Sequence, residues 1–496
     1  MWLRGDRPEG RQAAVIDLGS NSVRLVIYRV EGRAIWTVFN EKSLAGLGRD
    51  LPVTGRLSTE GVEVALRALH RYRALLSGFE PKDVMVAATA AVREAADGSA
   101  FLRRVKGETD LSVRVLTGEE EARYAALGVL AGDPGAQGVV GDLGGSSLEL
   151  VRLSDGEPQA GETLALGPFA LGAPRALDIE RTRRAIEAEI GPVASRFRSK
   201  TFHAVGGAWR NLALLHMEIA NYPLKVAHQY EMTRGDAIEV ARFVERLSKS
   251  SLERVQGLSK KRFDTLPYAA LVLEAVIERL GVERVVISAY GVREGLLLEA
   301  MDPQVRDRDP LVEGCEALTA VRGLSQELGA ALETWLAPVF QRLPPVFGDR
   351  DAALTAAACR LADIGARLHP DHRADLAFEE VLRAPIPGMD HAERTFLAAV
   401  AFSRYTAAHT PPSETVARLL SPERRQRARA LGSAIRLGSD LSGRNARLLQ
   451  HASLTLEGGR LHLAAAPGWE DMLLGEQTSK RAQALANALR ARIELG

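Results

Sequence analysis

Two short stretches of the chain share one pattern of apolar and polar positions. In the first, Val15-Ile16-Asp17-Leu18-Gly19-Ser20-Asn21-Ser22-Val23-Arg24-Leu25-Val26, an apolar run meets a small polar turn and an alternating run follows. The second, Val140-Gly141-Asp142-Leu143-Gly144-Gly145-Ser146-Ser147-Leu148-Glu149-Leu150-Val151, places Asp, Leu, Gly, Ser, Leu and Val in the same register, 125 positions further on, Asp142 against Asp17. Each copy reads as strand, tight turn and strand, the signature of a β-hairpin, with an aspartate closing the first strand.

Between the copies the period changes repeatedly. Leu57 to Leu76 has helical spacing, Val84 to Ala88 reads as a strand, and a helix starts near Thr89. Val113 to Leu116 is a further short strand, and Glu119 to Leu130 a helix before the turn Gly132-Asp133-Pro134-Gly135. Alternation of this kind predicts an α/β fold, with an internal border at 123/124. The second half, 124–304, continues with strands at Thr201 to Val205 and Arg284 to Ser288, each leading through a glycine turn into a helix. After Met301-Asp302-Pro303-Gln304, Ala and Leu at helical spacing predict a helical domain over 305–430. A small α+β domain is expected over 431–496. It has a hairpin turning at Gly458-Gly459 and a closing helix from Lys480 to Ile493.

Composition narrows the classes. At ~150 residues per domain, 496 residues suit two to four domains. Apolar content of 46% and charged content of 26% describe a globular chain. No uncharged apolar run approaches the ~20 residues of a membrane helix, so no membrane partner is expected. The polar start MWLRGDRPEGRQ has no signal core, which predicts a cytoplasmic address. Two cysteines, Cys315 and Cys359, make neither a disulfide framework nor a cysteine zinc site. The net charge of +1 provides no global basic field, which argues against nucleic acid and requires any anionic ligand to be held locally.

The duplicated turns suggest which anion. A phosphate needs short hydrogen bonds from backbone N–H groups, and small residues let the backbone approach it. The alternative is a pair of ordinary hairpins. Val205-Gly206-Gly207-Ala208-Trp209-Arg210 and Ser288-Ala289-Tyr290-Gly291-Val292-Arg293 each join a strand to a helix N-terminus. Thr89 stands at an N-cap with Arg93 in the first turns beyond it. Arg93 and Arg293 read equally well as solvated surface residues. Thr117-Gly118-Glu119-Glu120-Glu121 matches a capping box, Thr117 with Glu120. One of the three glutamates could serve as base to an attacking water, and spacing does not choose among them.

On these motifs the chain resembles the exopolyphosphatase/guanosine pentaphosphate phosphohydrolase (Ppx/GppA) family over residues 13 to about 300, and more weakly beyond 305. The resemblance implies two actin-like lobes of the ribonuclease H-like (ASKHA) superfamily, followed by a mainly helical, degenerate HD-like extension. It implies a phosphoanhydride hydrolase with the base at Glu121 and Mg²⁺, or another divalent cation, on Asp142 and Glu149. Asp17, Gly19, Ser20, Asn21 and Ser22 would form one phosphate loop, Gly144, Gly145, Ser146 and Ser147 the other. Gly206 and Gly207 would add to them, and Arg93 would grip a phosphate oxygen. The substrate would be inorganic polyphosphate or guanosine pentaphosphate, and the chain a homodimer. Ser146 departs from the family's third loop glycine.

In the extension, Ala362 stands where HD domains carry a histidine, so no activity is expected there, and His369 and His372 read as surface residues. The dense basic run Arg424, Arg425, Arg427 and Arg429, with Arg436, Arg444 and Arg447 beyond, is either a solvated helix face or a groove for a long polyanion. Two other function classes stay open: an actin-like kinase or chaperone-type ATPase, and an alarmone sensor without turnover.

Overall fold

The computed structural model describes residues 10–246, 263–321, 326–407, 411 and 413–496. The chain divides into two compact units, one ending at Asp307 and the other beginning at Arg308.

The first unit is built on two sheets. One contains β1 (Arg11–Leu18), β2 (Val23–Glu31), β3 (Ala34–Ser43), β4 (Asp83–Ala88) and β5 (Arg114–Val115), in the order β3-β2-β1-β4-β5. The other contains β6 (Gly138–Leu143), β7 (Leu148–Ser154), β8 (Glu157–Pro158), β9 (Glu162–Leu164), β10 (Thr201–Val205), β11 (Glu231–Thr233) and β12 (Arg284–Ile287). Its order is β11-β12-β10-β6-β7-β8, with β9 also on β7. Read from β8 to β12, this repeats the first sheet position for position. Each has an antiparallel hairpin, β1/β2 or β6/β7, and then a strand, β4 or β10, parallel to the hairpin's first strand. This is the ribonuclease H-like order twice over, and the repeated motif is the central hairpin of each lobe.

Both faces of these strands are covered, which is why their sequences read as near-continuous apolar runs. Ile16, Leu18, Leu25 and Ile27 pack with Leu66, Leu69 and Tyr72 of the helix Thr59–Phe79. Val15 and Val26 face the other way, into a core shared with Val140 and Val151 of the second sheet. The helices Gly118–Gly132 and Val292–Glu299 fill that core between the sheets.

Those two helices meet through glycine. A Cβ on Gly295 would lie 1.9 Å from the Tyr124 carbonyl oxygen, and one on Gly128 2.1 Å from that of Gly291. Both obstacles are backbone, so Gly295→Ala should cost at least ~2 kcal/mol, more than an ordinary overpacking change, and lower the melting temperature by several degrees. A melting temperature within one degree of the parent would contradict this packing.

The border expected at 123/124 cuts the helix Gly118–Gly132, and the one at 430/431 cuts the helix Pro422–Leu441. Neither is a linker, because both helices carry buried residues on each side of the expected cut.

The second unit is mainly helical, with free, buried Cys315 and Cys359. A three-stranded sheet, β13 (Ala452–Glu457), β14 (Arg460–Ala465) and β15 (Arg492–Leu495), lies near its C-terminus. The hairpin at Gly458-Gly459 forms as expected. The closing helix does not extend to Ile493. It runs Glu476–Leu489, Arg490 turns left-handed at φ 57°, and Arg492–Leu495 becomes a strand parallel to β14. The alternating Arg-Ile-Glu-Leu tail has strand rather than helix periodicity. His369 and His372 are exposed. Among the described residues no helix is long and apolar enough to cross a membrane.

Candidate active site

The two hairpin turns have the same closure. Gly19 N–H donates to Ser22 O at 3.0 Å, and Gly144 N–H to Ser147 O at 3.0 Å. Each glycine thus spends its N–H within its turn. Ser20, Asn21, Gly145 and Ser146 donate theirs to no carbonyl among the described backbone hydrogen bonds. The turns also touch: a Cβ on Gly145 would lie 3.0 Å from Ser20 Cβ and 3.3 Å from Asn21 N. They converge on one cavity of 190 Å³.

Register decides what each hairpin presents to that cavity. Directly opposed residues of an antiparallel pair share a face. Asp17 opposes Arg24 in the first hairpin, and Asp142 opposes Glu149 in the second. Arg24 and Glu149 are the equivalent positions of the duplication, so the first hairpin pairs a carboxylate with a guanidinium and the second pairs two carboxylates, of which Asp142 reaches the cavity wall. Across β2 and β3, Arg24 in turn opposes Lys42. Like charges directly opposite destabilise a sheet, and these two line the cavity together.

The structure resolves the glutamate triplet. Glu119 is exposed, and Glu120 accepts from Thr117 N–H at 2.9 Å and from Arg114, completing the capping box. Glu121 is 7% exposed and lines the cavity. Arg93 Nη1 donates to Glu121 Oε2 at 3.1 Å and to Leu116 O at 2.8 Å. Burial raises the Glu121 carboxyl to about 7, against the pull of Arg93 and with the push of Asp142 and Asp17. A base poised near neutrality suits proton abstraction from water.

Burial also lifts Asp142 to about 7, helped by Asp17, and lifts Glu149 well above the usual range, helped by Glu121 and Asp142. Glu149 is 1% exposed, and beside the Ser147 hydroxyl neither of its oxygens makes a hydrogen bond of normal geometry. Asp17, also raised chiefly by burial, accepts from Arg293 Nη1 at 3.2 Å. Among the described residues no group of three or more His, Cys, Asp or Glu forms a metal cage. Two adjacent carboxylates, one of them without a hydrogen bond, are nevertheless what Mg²⁺ asks of a protein, because substrate phosphates and water complete its octahedron. Asp142 and Glu149 fit such an ion.

Beside these carboxylates stand three arginines. Arg24, Arg210 and Arg293 line the cavity, and the Nε of each is buried without a hydrogen-bond partner. Burial, then mutual repulsion, lowers the pKa of Arg24 and of Arg210. Arg210 sits in the first turn of the helix Gly207–Ile219, and Arg293 in that of Val292–Glu299. The Gly206 that opens the former helix holds φ 110°, and a Cβ there would lie 2.6 Å from Leu143 O, so only glycine brings this N-terminus to the cavity.

Of the residues expected from sequence, Asp17, Gly19, Ser20, Asn21, Ser22, Glu121, Asp142, Gly144, Gly145, Ser147, Gly206 and Gly207 line the cavity. Three do not. Glu149 is buried opposite Asp142 across the hairpin, Ser146 packs against Gly48 and Gly167, and Arg93 holds Glu121 instead of reaching the wall. In the basic run, Arg424 Nε donates to Val346 O and its guanidinium stacks on Phe347, while Arg427 is tied to Asp351 and Pro344 O. Arg425 and Arg429 are half-buried. Two of the four arginines of the run are thus held by the protein's own groups. Arg24 and Arg210 were not read from sequence, although the hairpin register would have set Arg24 opposite Asp17.

Two ribonuclease H-like lobes meeting at paired turns, with carboxylates and arginines packed around one cavity, define a phosphate-handling enzyme of the actin-like class. The family model described as "Ppx/GppA phosphatase family" matches residues 26–304, and "Exopolyphosphatase, C-terminal" matches 311–495. The chain belongs to the Ppx/GppA phosphatase family. Exopolyphosphatase 1 of Mycobacterium tuberculosis is 25% identical over 331 residues, covering 62% of this chain and 94% of that protein. Exopolyphosphatase 2 of the same species is 25% identical over 312 residues, covering 58% and 98%. The crystal structure of the Aquifex aeolicus family member aligns with a TM-score of 0.51 at 26% identity, over 58% of this chain and 97% of that one.

Proposed function

We propose that the chain is an exopolyphosphatase that removes the terminal phosphate from inorganic polyphosphate. The observation that carries this is the juxtaposition, around one cavity, of Asp142 and the hydrogen-bond-free carboxylate of Glu149 opposite it with Arg24 and Arg210, which make no ion pair among the described residues. A phosphate chain carrying a divalent ion satisfies both sets; either alone satisfies one. Asp142 and Glu149 would hold Mg²⁺, which when bound neutralises phosphate charge and polarises the phosphorus for attack. Arg24, Arg210 and Arg293 bind non-bridging oxygens, and the N–H groups of the two turns orient the chain end. Glu121, fixed by Arg93, takes a proton from water as the water oxygen bonds to the terminal phosphorus. The bridging P–O bond breaks, and the shortened chain leaves with that oxygen and its electron pair. No protein nucleophile is needed.

The names of the mycobacterial relatives support polyphosphate as substrate. Phosphate release from long polyphosphate and from guanosine pentaphosphate, measured side by side with and without Mg²⁺, tests the reading: polyphosphate should be preferred and release should need the metal. Faster release from the guanosine nucleotide would replace it. Arg210 makes no ion pair among the described residues, so Arg210→Met should leave the melting temperature unchanged or raised. Losing one charge-assisted contact of ~1.5–3 kcal/mol should raise KM for polyphosphate by about ten- to a hundredfold. An unchanged KM would remove Arg210 from the site.

A further inference from the structure

The helix Val292–Glu299 carries Arg293 to the cavity wall, while its neighbour Glu294, with a side chain 6% exposed, does not line the cavity. Both oxygens of that buried carboxylate are engaged. Oε2 accepts the N–H of Gly291, the residue that opens the helix, at 2.9 Å. Oε1 accepts the hydroxyl of Tyr28 at 2.6 Å. Tyr28 stands on β2, is 2% exposed and packs with Val26 in the core shared by the two sheets. It does not line the cavity either.

Arg293 stands between two carboxylates. Its Nη1 donates to Asp17 Oδ2 at 3.2 Å. Its Nε is buried without a hydrogen-bond partner, 4.0 Å from Glu294 Oε1, which is beyond hydrogen-bond length. That oxygen is the one to which Tyr28 donates. Burial opposes the Arg293 charge, yet Glu294, Tyr28 and Asp17 together raise its pKa, so it stays a cation. Burial, and then the Glu294 charge, lifts the Tyr28 hydroxyl well above its usual range, so it keeps the proton it donates.

We propose that Tyr28 is a positioning residue for substrate binding: its hydroxyl satisfies Glu294 and so leaves Arg293 turned to Asp17 and the cavity, not drawn into an ion pair with its own neighbour. The role rests on the reading of Arg293 as a phosphate ligand. A buried carboxylate deprived of one donor is costly until it finds another. With phenylalanine at position 28, the donor within reach is Arg293 Nε, and closing that gap takes the guanidinium from the cavity wall. Charge-assisted bonds are stronger than neutral ones, so the new pair would serve the fold at the expense of the substrate.

The test compares the full chain with its Tyr28→Phe and Tyr28→Phe/Glu294→Gln variants on long polyphosphate with Mg²⁺. Tyr28→Phe should raise KM about tenfold, the loss of one charge-assisted contact, and leave kcat within about twofold, because Glu121 is untouched. Adding Glu294→Gln should return KM to within about threefold of the parent, since an amide nitrogen in place of Oε1 offers a guanidinium nothing while the amide oxygen still accepts from Gly291. A merely structural Tyr28 would give no such rescue, because a second lost bond would deepen the defect. An unchanged KM in Tyr28→Phe, or a higher one in the double variant, overturns the role. A substrate-free crystal structure of Tyr28→Phe separates this outcome from the reading of the cavity. Arg293 Nε should lie about 3 Å from Glu294, and a guanidinium still on Asp17 alone overturns the role. A parent that neither binds nor cleaves polyphosphate overturns the proposed function, and the crystal structure then decides the placing of Arg293 by Tyr28.

Discussion

Glu121→Gln should lose at least about a thousandfold in turnover while polyphosphate Kd changes by less than about threefold. The substitution keeps the side chain's length and removes only its ability to take a proton. Glu121 lies at the cavity wall with Arg93 on one oxygen, so it can act on water without contributing much to the grip on the substrate. Single-turnover phosphate release and equilibrium binding, measured on the same preparation, separate the two quantities. An alarmone sensor would show no change in either. A loss in Kd as large as the loss in turnover would make Glu121 a binding residue and leave the base elsewhere.

The second large effect concerns the cost of packing carboxylates together. Glu121 and Asp142, which titrate near 4 when unfolded, are raised to about 7 by burial in the folded metal-free protein, and Glu149 is raised further. Between about pH 4 and pH 7 the folded state therefore binds more protons than the unfolded one. Stability is fully present below the unfolded values and is lost as pH rises through the folded ones. Metal-free protein should melt several degrees lower at pH 7.5 than at pH 5. Mg²⁺ should recover the loss at pH 7.5 and do little at pH 5. Glu149→Gln should raise the metal-free melting temperature at pH 7.5 by about 5 °C and abolish most of the Mg²⁺ response. Melting curves at the two pH values, with and without Mg²⁺, check all three. A Glu149→Gln protein less stable than its parent would show that Glu149 has a stabilising partner.

Much of this site is legible in one dimension because duplication writes it twice. The 125-residue repeat places two aspartates at equivalent strand ends, and equal turn geometry follows from equal turn residues. Apolar positions repeat as well: Val15 and Val26 meet Val140 and Val151 in one core. The capping box settles Glu120 locally and leaves Glu121 to turn inward. What does not show along the chain is convergence. Arg24, Arg210 and Arg293 lie on a strand and two helix starts far apart in sequence, and each by itself reads as a surface residue. The same limit explains the basic run: contiguity suggested one face, but Arg424 and Arg427 turn to the loop around Phe347 and Asp351, while Arg436 turns to Asp440. The tail past Arg490 shows that helical composition in the preceding residues does not carry through a left-handed stop.

A crystal structure of the Glu121→Gln protein with inorganic tripolyphosphate and Mg²⁺ tests the paired-turn account most directly. One terminal phosphate should accept hydrogen bonds, at about 3 Å, from backbone N–H groups of both the Ser20–Asn21 turn and the Gly145–Ser146 turn, with the substituted amide side chain facing the phosphorus opposite the bridging oxygen. A chain end held by a single turn, or bound away from Asp142 and Arg210, would contradict it.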